Sequence, residues 1–231
     1  MYNEFEKNII DISKRIDETS YNISKQDYVI YDGIADLNKY LSSEKKILFL
    51  LKESYETKGC YKWQVGKIYE PNKIRKYPTL KRIGYIVHGV RNNILYESII
   101  KASNIVLAAD IESIAWVNIN KIAAKSRSEH NLTKKYLIWK EIIKEQIDVF
   151  DPEIVICGNT LQYIKNDFDI TAENKINTSN FKYINSAYCK KNTLYIQMVH
   201  PAMVLNKENE KILVNDIVSL INKQHRTTAS T

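Results

Sequence analysis

Two apolar runs in this sequence end in side chains that can handle protons. Ile47 to Leu51 is an unbroken hydrophobic stretch followed at once by Lys52, Glu53, Ser54, Tyr55 and Glu56. Leu194 to Val199 is another strand-like run, and it ends in His200-Pro201-Ala202. A carboxylate can orient a water molecule, and an imidazole can exchange a proton near neutral pH. A third polar group follows Ile111 to Ile119, where Asn118, Asn120 and Lys121 cluster. A carboxamide offers a donor and an acceptor together. The same residues also have plain structural uses: Asn suits turns, Glu53 can pair with Lys52 or Arg75, and His200 can cap a strand before Pro201.

Runs of this length without polar alternation are strands buried on both faces, as in the middle of a parallel sheet. Groups just past the carboxyl ends of parallel strands share one edge, where open α/β folds hold their ligands. The reading is therefore that Ile47–Leu51, Ile111–Val117, Ile154–Cys157 and Leu194–Val199 belong to one largely parallel sheet. Glu53, Asn118 and His200 then leave it at a common edge and face a shared cleft. Its mouth is expected to be basic, with Lys52, Lys121 and the loop around Trp63.

The rest of the chain supplies covering layers. Phe5, Ile9, Ile12 and Ile16 fall on one helix face, with Ile10 off the stripe, and a short helix precedes Ile47. Thr79 to Asn93 reads as a helix, and Ile99 to Ala109 is compatible with helix or strand. Thr133 to Phe150 is the clearest helix, with Thr133 as its cap and Leu137, Ile138, Ile142, Ile143, Ile147 and Phe150 as its core face. Leu205 to Leu220 closes the fold, and residues 224–231 are expected to be a mobile tail. Helices before, between and after parallel strands predict an α/β fold, a three-layer α/β/α sandwich with a central, mostly parallel sheet. No linker or repeat interrupts it, so residues 1–231 read as a single domain whose residues 1–45 form a helical part.

Composition narrows the class. At 44% hydrophobic and 26% charged residues the chain is expected to fold throughout. A formal charge of +7 favours a polyanionic partner. Between Thr57 and Pro78, Trp63, Tyr69 and Tyr77 alternate with six Lys or Arg residues, the mixture a strand-tracking nucleic-acid groove uses and also one a solvated basic loop carries. Cys60, Cys157 and Cys189 show no metal or disulfide spacing, and no cofactor or metal is expected. With six Gly and no phosphate-loop pattern, a nucleotide-binding α/β protein is the weaker alternative. The sequence shows neither a signal-peptide pattern nor a stretch of membrane-spanning length, so a cytoplasmic monomer away from the membrane is expected.

Taken in order, several of these segments resemble the uracil-DNA glycosylase superfamily. Leu51-Lys52-Glu53-Ser54-Tyr55-Glu56 resembles the family's water-activating motif, GQDPYH in one branch and GINPG in another. Trp116-Val117-Asn118-Ile119-Asn120-Lys121 is similar to the strand carrying the pyrimidine-reading Asn. Gln146 to Thr160 is similar to the segment helix-P-x-(V/I)-I-(V/I)-x-G, and His200-Pro201-Ala202 to the HPS motif. Pro78-Thr79-Leu80-Lys81 is similar to a Pro-Ser-Leu-Lys helix start. The first motif departs most, since Leu51, Glu53 and Ser54 stand where the family has Gly, an Asp or Asn, and Pro.

The resemblance implies a monofunctional glycosylase that flips a deaminated or modified pyrimidine out of DNA and hydrolyses its N-glycosidic bond. It makes Glu53 the carboxylate that orients water and stabilises the sugar cation, and His200 the donor to the pyrimidine O2. It gives Asn118 the base edge, Tyr55 the face against C5, and Ser54 a weakened barrier there that leaves a C5-modified base open. Met203 or Leu205 would wedge into the emptied stack, while Lys52, Lys121 and Trp63 hold DNA. Repair and antiviral defence are both compatible. A protein with this fold that binds nucleic acid without chemistry is the alternative.

Overall fold

A strand flanked on both sides by other strands and covered above and below has no use for polar residues, and Ile47–Leu51 has none exposed. In the computed structural model, which describes residues 2–22, 29–54, 62–64, 71–124 and 131–228, the chain begins with α1 (Tyr2–Asn22), β1 (Val29–Tyr31), α2 (Leu37–Leu41), β2 (Ile47–Leu51) and β3 (Lys62–Gln64). A 3-10 helix, Pro71–Lys76, leads into α3 (Pro78–Asn92), α4 (Tyr96–Ile99), α5 (Asn104–Glu112) and β4 (Ala115–Asn118). There follow α6 (Leu132–Phe150), β5 (Ile154–Gly158), α7 (Leu161–Ile164), β6 (Lys175–Ile176), β7 (Ile184–Lys190), β8 (Thr193–Met198) and α8 (Lys207–Thr228).

The main sheet has the order β4-β2-β5-β8-β7-β6. Its first four strands are mutually parallel, and β7 and β6 extend it antiparallel. Side chains alternate across it, so Ile47, Phe49 and Leu51 enter one core and Leu48 and Leu50 the other. The first core lies under α3, α5 and α8, the second under α1, α6 and α7. This is the three-layer α/β/α arrangement. No helix among the described residues is long and apolar enough to cross a membrane.

The outer edge of β4 is covered rather than left open. The segment carrying β1 runs antiparallel beside it, through bridges Val29–Ile122 and Ile34–Ala115. Bonds from Ile30 N to Lys121 O at 2.7 Å and from Trp116 N to Gly33 O at 2.8 Å fix this cover. Gly33 sits at φ 151°, which a side chain adopts only with strain.

Four expectations need correction. The stretch from Ile111 is helix first: α5, capped by the Ser103 side chain, runs through Glu112, and only Ala115–Asn118 is strand. Helix α6 starts at Leu132 with Asn131 as its cap, not at Thr133. Leu137 and Ile138 lie on its exposed side, because Tyr136, Trp139 and Gln146 complete the buried stripe. Finally, α8 continues to Thr228, past Lys223 where a tail was expected to begin.

Candidate functional site

The parallel register brings the chemistry-bearing ends together. Leu51 is level with Asn118 across the β2–β4 pair, and Gly158 is level with Met198 across β5–β8. A Cβ on Gly158 would lie 2.8 Å from Leu51 Cδ2, 3.0 Å from Pro201 Cδ and 3.5 Å from His200 Cδ2. The ends of β2, β5 and β8 therefore converge at Gly158, where a side chain would press on Leu51 and Pro201. Glu53, Asn118 and His200 all leave the sheet at this one edge, as parallel strands require.

On the β2–β4 side the backbones stay paired beyond the strands. Ile119 N donates to Leu51 O at 2.8 Å, Asn120 N to Lys52 O at 3.0 Å, and Ala124 N to Ser54 O at 2.8 Å. This pairing carries Asn120 to Glu53, where its Nδ2 donates to the carboxylate Oε2 at 2.9 Å. Lys135 Nζ, from α6, lies 3.4 Å from the same oxygen. Trp139 Nε1 donates to Asn120 Oδ1 at 3.2 Å and fixes which way the amide faces. The Glu53 side chain has no exposed area, so it is a held, charge-compensated carboxylate. Among the described residues the cation beside it is Lys135, neither Lys52 nor Arg75. Arg75 instead serves Tyr85, Asn104 and the carbonyls of Ile100 and Ala102.

Behind this pair lies a second buried charge cluster. Lys121 Nζ donates to both oxygens of Asp32 at 2.8 Å and to Gln146 Oε1 at 2.6 Å. Gln146 Nε2 returns a bond of 2.9 Å to Asp32 Oδ1, and the Asn118 N–H donates to Asp32 Oδ2. Burial pulls the Lys121 ammonium below its ordinary pKa, and the Asp32 carboxylate opposes that. Lys121 is fully buried, so the expectation that it meets DNA at a basic mouth is corrected: its charge is spent inside on Asp32. Asn118 is buried as well, at the end of β4, and its backbone is held by that same carboxylate.

On the β8 side the chain turns sharply. Ala202 N donates to His200 Nδ1 at 3.1 Å, and Met203 N to His200 O at 2.9 Å. Burial, aided by the charge of Lys52, pushes the His200 pKa down to about 4. A neutral ring that accepts at Nδ1 carries its proton on Nε2, so His200 is a neutral N–H donor. Beyond it, Met203 is 45% exposed and Val204 96%. Tyr55 lies outside the described residues. Trp63 belongs to β3, which pairs parallel with β1, and its side chain is likewise outside them. Among the described residues no three His, Cys, Asp or Glu side chains group as metal ligands.

Sequence reasoning gave Asn118 the base edge; the residue bonded to Glu53 is Asn120, and Lys135 and Trp139, which complete that group, were not foreseen. The Asn118-x-Asn120 spacing was an available signal, whereas nothing local marked Lys135 or Trp139. No family model and no curated protein matches this sequence.

Proposed function

We propose that this chain is a monofunctional DNA glycosylase, a cytoplasmic monomer that hydrolyses the N-glycosidic bond of a deaminated or modified pyrimidine and needs no cofactor. The observation that carries this reading is that Glu53 and a neutral His200, whose Nδ1 accepts from Ala202 N, leave the sheet at the same edge. Cleaving the C1′–N bond leaves a sugar with cationic character and a base that takes both bonding electrons. The His200 Nε2–H is suited to a hydrogen bond with the oxygen where that negative charge gathers, without giving up its proton. The Glu53 carboxylate, oriented by Asn120, favours the sugar cation and directs water to C1′. The exposure of Met203 and Val204, on the turn beside His200, supports their filling the gap a flipped nucleotide leaves.

A second reading is a protein that binds nucleic acid without chemistry. What favours it is the complete burial of the Glu53 side chain against Lys135. Duplexes that each carry one altered pyrimidine, assayed for alkali-labile abasic sites, separate the two. Strand breaks at one altered base that disappear in Glu53→Gln, with binding retained, support the glycosylase. Salt-sensitive binding with no abasic site on any duplex supports the second reading. On either reading, affinity for DNA is expected to fall steeply as salt rises, because phosphate contacts release counterions.

A further inference from the structure

The turn that carries His200 is held from below by one buried side chain. Arg82, on the second turn of α3 and 3% exposed, donates from Nη1 to the carbonyls of both Pro201 and Met203. One carbonyl directly follows His200, and the other directly precedes Val204. The opposite side of the guanidinium is anchored: Arg82 Nε donates to Glu210 Oε2, on α8, at 3.0 Å. Glu210 is itself buried, and it also accepts from Lys81 Nζ at 2.7 Å and Tyr96 Oη at 3.0 Å. Burial acts to raise its pKa, but the bonds from Lys81, Tyr96 and Arg82 outweigh that and hold it below the ordinary carboxylate value.

We propose that Arg82 is a positioning residue that holds the His200 ring and the exposed Met203–Val204 tip as one rigid unit. The inference builds on the glycosylase reading, but its geometric half does not depend on it. A cation inside the protein needs a counter-charge, and Glu210 is that charge. The planar fork lets one group face Glu210 and the turn at once, with charge-assisted bonds to the backbone. An ammonium reaches from a single point and cannot span both. The two gripped carbonyls bracket Ala202, whose N–H sets the His200 tautomer. Loss of the grip therefore frees the ring, and pressure on the tip is passed to it. A purely structural Arg82 would close α3 onto α8 and leave the ring indifferent to its replacement.

The test compares wild type, Arg82→Lys and Glu210→Gln. Nitrogen-15 spectra of the His200 imidazole report its tautomer and titration without any need for turnover. Wild type is expected to show a single Nε2–H tautomer that protonates near pH 4. Arg82→Lys should show mixed tautomers and protonation nearer pH 6.5, with Glu210→Gln between the two. On a substrate duplex, Arg82→Lys should lower kcat by about tenfold or more while KM stays within about twofold. If Arg82→Lys does not fold, an unchanged ring in folded Glu210→Gln overturns the proposal. Wild-type tautomer and titration in folded Arg82→Lys overturn it directly. Absence of turnover in wild type would sink the glycosylase reading alone, because the spectra still decide the positioning.

Discussion

The two halves of the candidate site are built on opposite plans. On the β2–β4 side, Glu53, Asn118, Asn120 and Lys121 are buried, and their partners come from residues 32, 135, 139 and 146. On the β8 side, the turn after His200 ends in solvent and is gripped by one guanidinium. The first half is fixed by the same ionic bonds that fix the fold, so chemistry and stability cannot be varied separately there. In the second half the ionic grip of Arg82 and Glu210 lies beneath the turn, so the exposed tip, Met203 and Val204, can change with little loss of fold.

The largest effect should come from the buried half. Lys121→Met leaves Asp32 charged and without its cation, which should cost about 3–5 kcal/mol in urea denaturation. A cost below about 1 kcal/mol would make the two halves alike. In a double-mutant cycle with Asp32→Asn the costs should fall short of additive, because each single change already breaks the pair.

Next in size is the half on the β8 turn. His200→Gln should lower turnover by about 100-fold or more, as for the loss of one donor to developing charge, yet leave the urea midpoint near wild type at pH 7. A parallel loss of fold would mean the ring is packing rather than chemistry.

The same variant sharpens the comparison through pH. Burial lowers the His200 pKa from 6.5 unfolded to about 4 folded, so the unfolded chain takes up the proton first as pH falls. Stability linked to His200 is complete above pH 6.5 and is lost as pH drops towards 4. Wild type should therefore lose stability across this window relative to His200→Gln, whereas parallel curves would mean an exposed ring.

The smallest effect on stability belongs to Val204. At 96% exposure, Val204→Ser should change stability by less than about 0.5 kcal/mol. It should nevertheless weaken binding to duplex DNA measurably more than binding to a single strand, since only a duplex has a stack to fill. Equal effects on both would remove Val204 from the wedge role.

Strands buried on both faces announced themselves: β2 and β5 are apolar throughout, β8 is apolar but for Thr193 and Gln197, and the polar residues at their ends marked the edge. Strand β4 was harder, because Ile111, Ile114 and Ile119 suit a strand while Ser103 had already started a helix through Glu112. In α6 the aliphatic pair Leu137 and Ile138 looked like core, but the buried stripe uses Trp139 and the polar Gln146, which a hydrophobic pattern passes over. The site followed the same division. Glu53 and His200 were visible because each ends a strand. Lys135, Arg82 and Glu210 were not, because polar side chains that meet across 82 to 128 residues leave no local period.

Helix α1 carries a consequence for how the chain is made. Phe5, Ile9, Ile12 and Ile16 pack into the core under α6, and Phe5 stacks on Phe150 with ring centroids 6.4 Å apart. Helix α1 is synthesised well over a hundred residues before its partner Phe150 and waits for it. At roughly 5–20 residues per second, that wait is on the order of ten seconds. Throughout it, the nascent chain displays an amphipathic helix whose apolar side lacks its α6 cover, an invitation to chaperones and to neighbouring chains. A chain cut short before Leu132 would keep that surface bare for good.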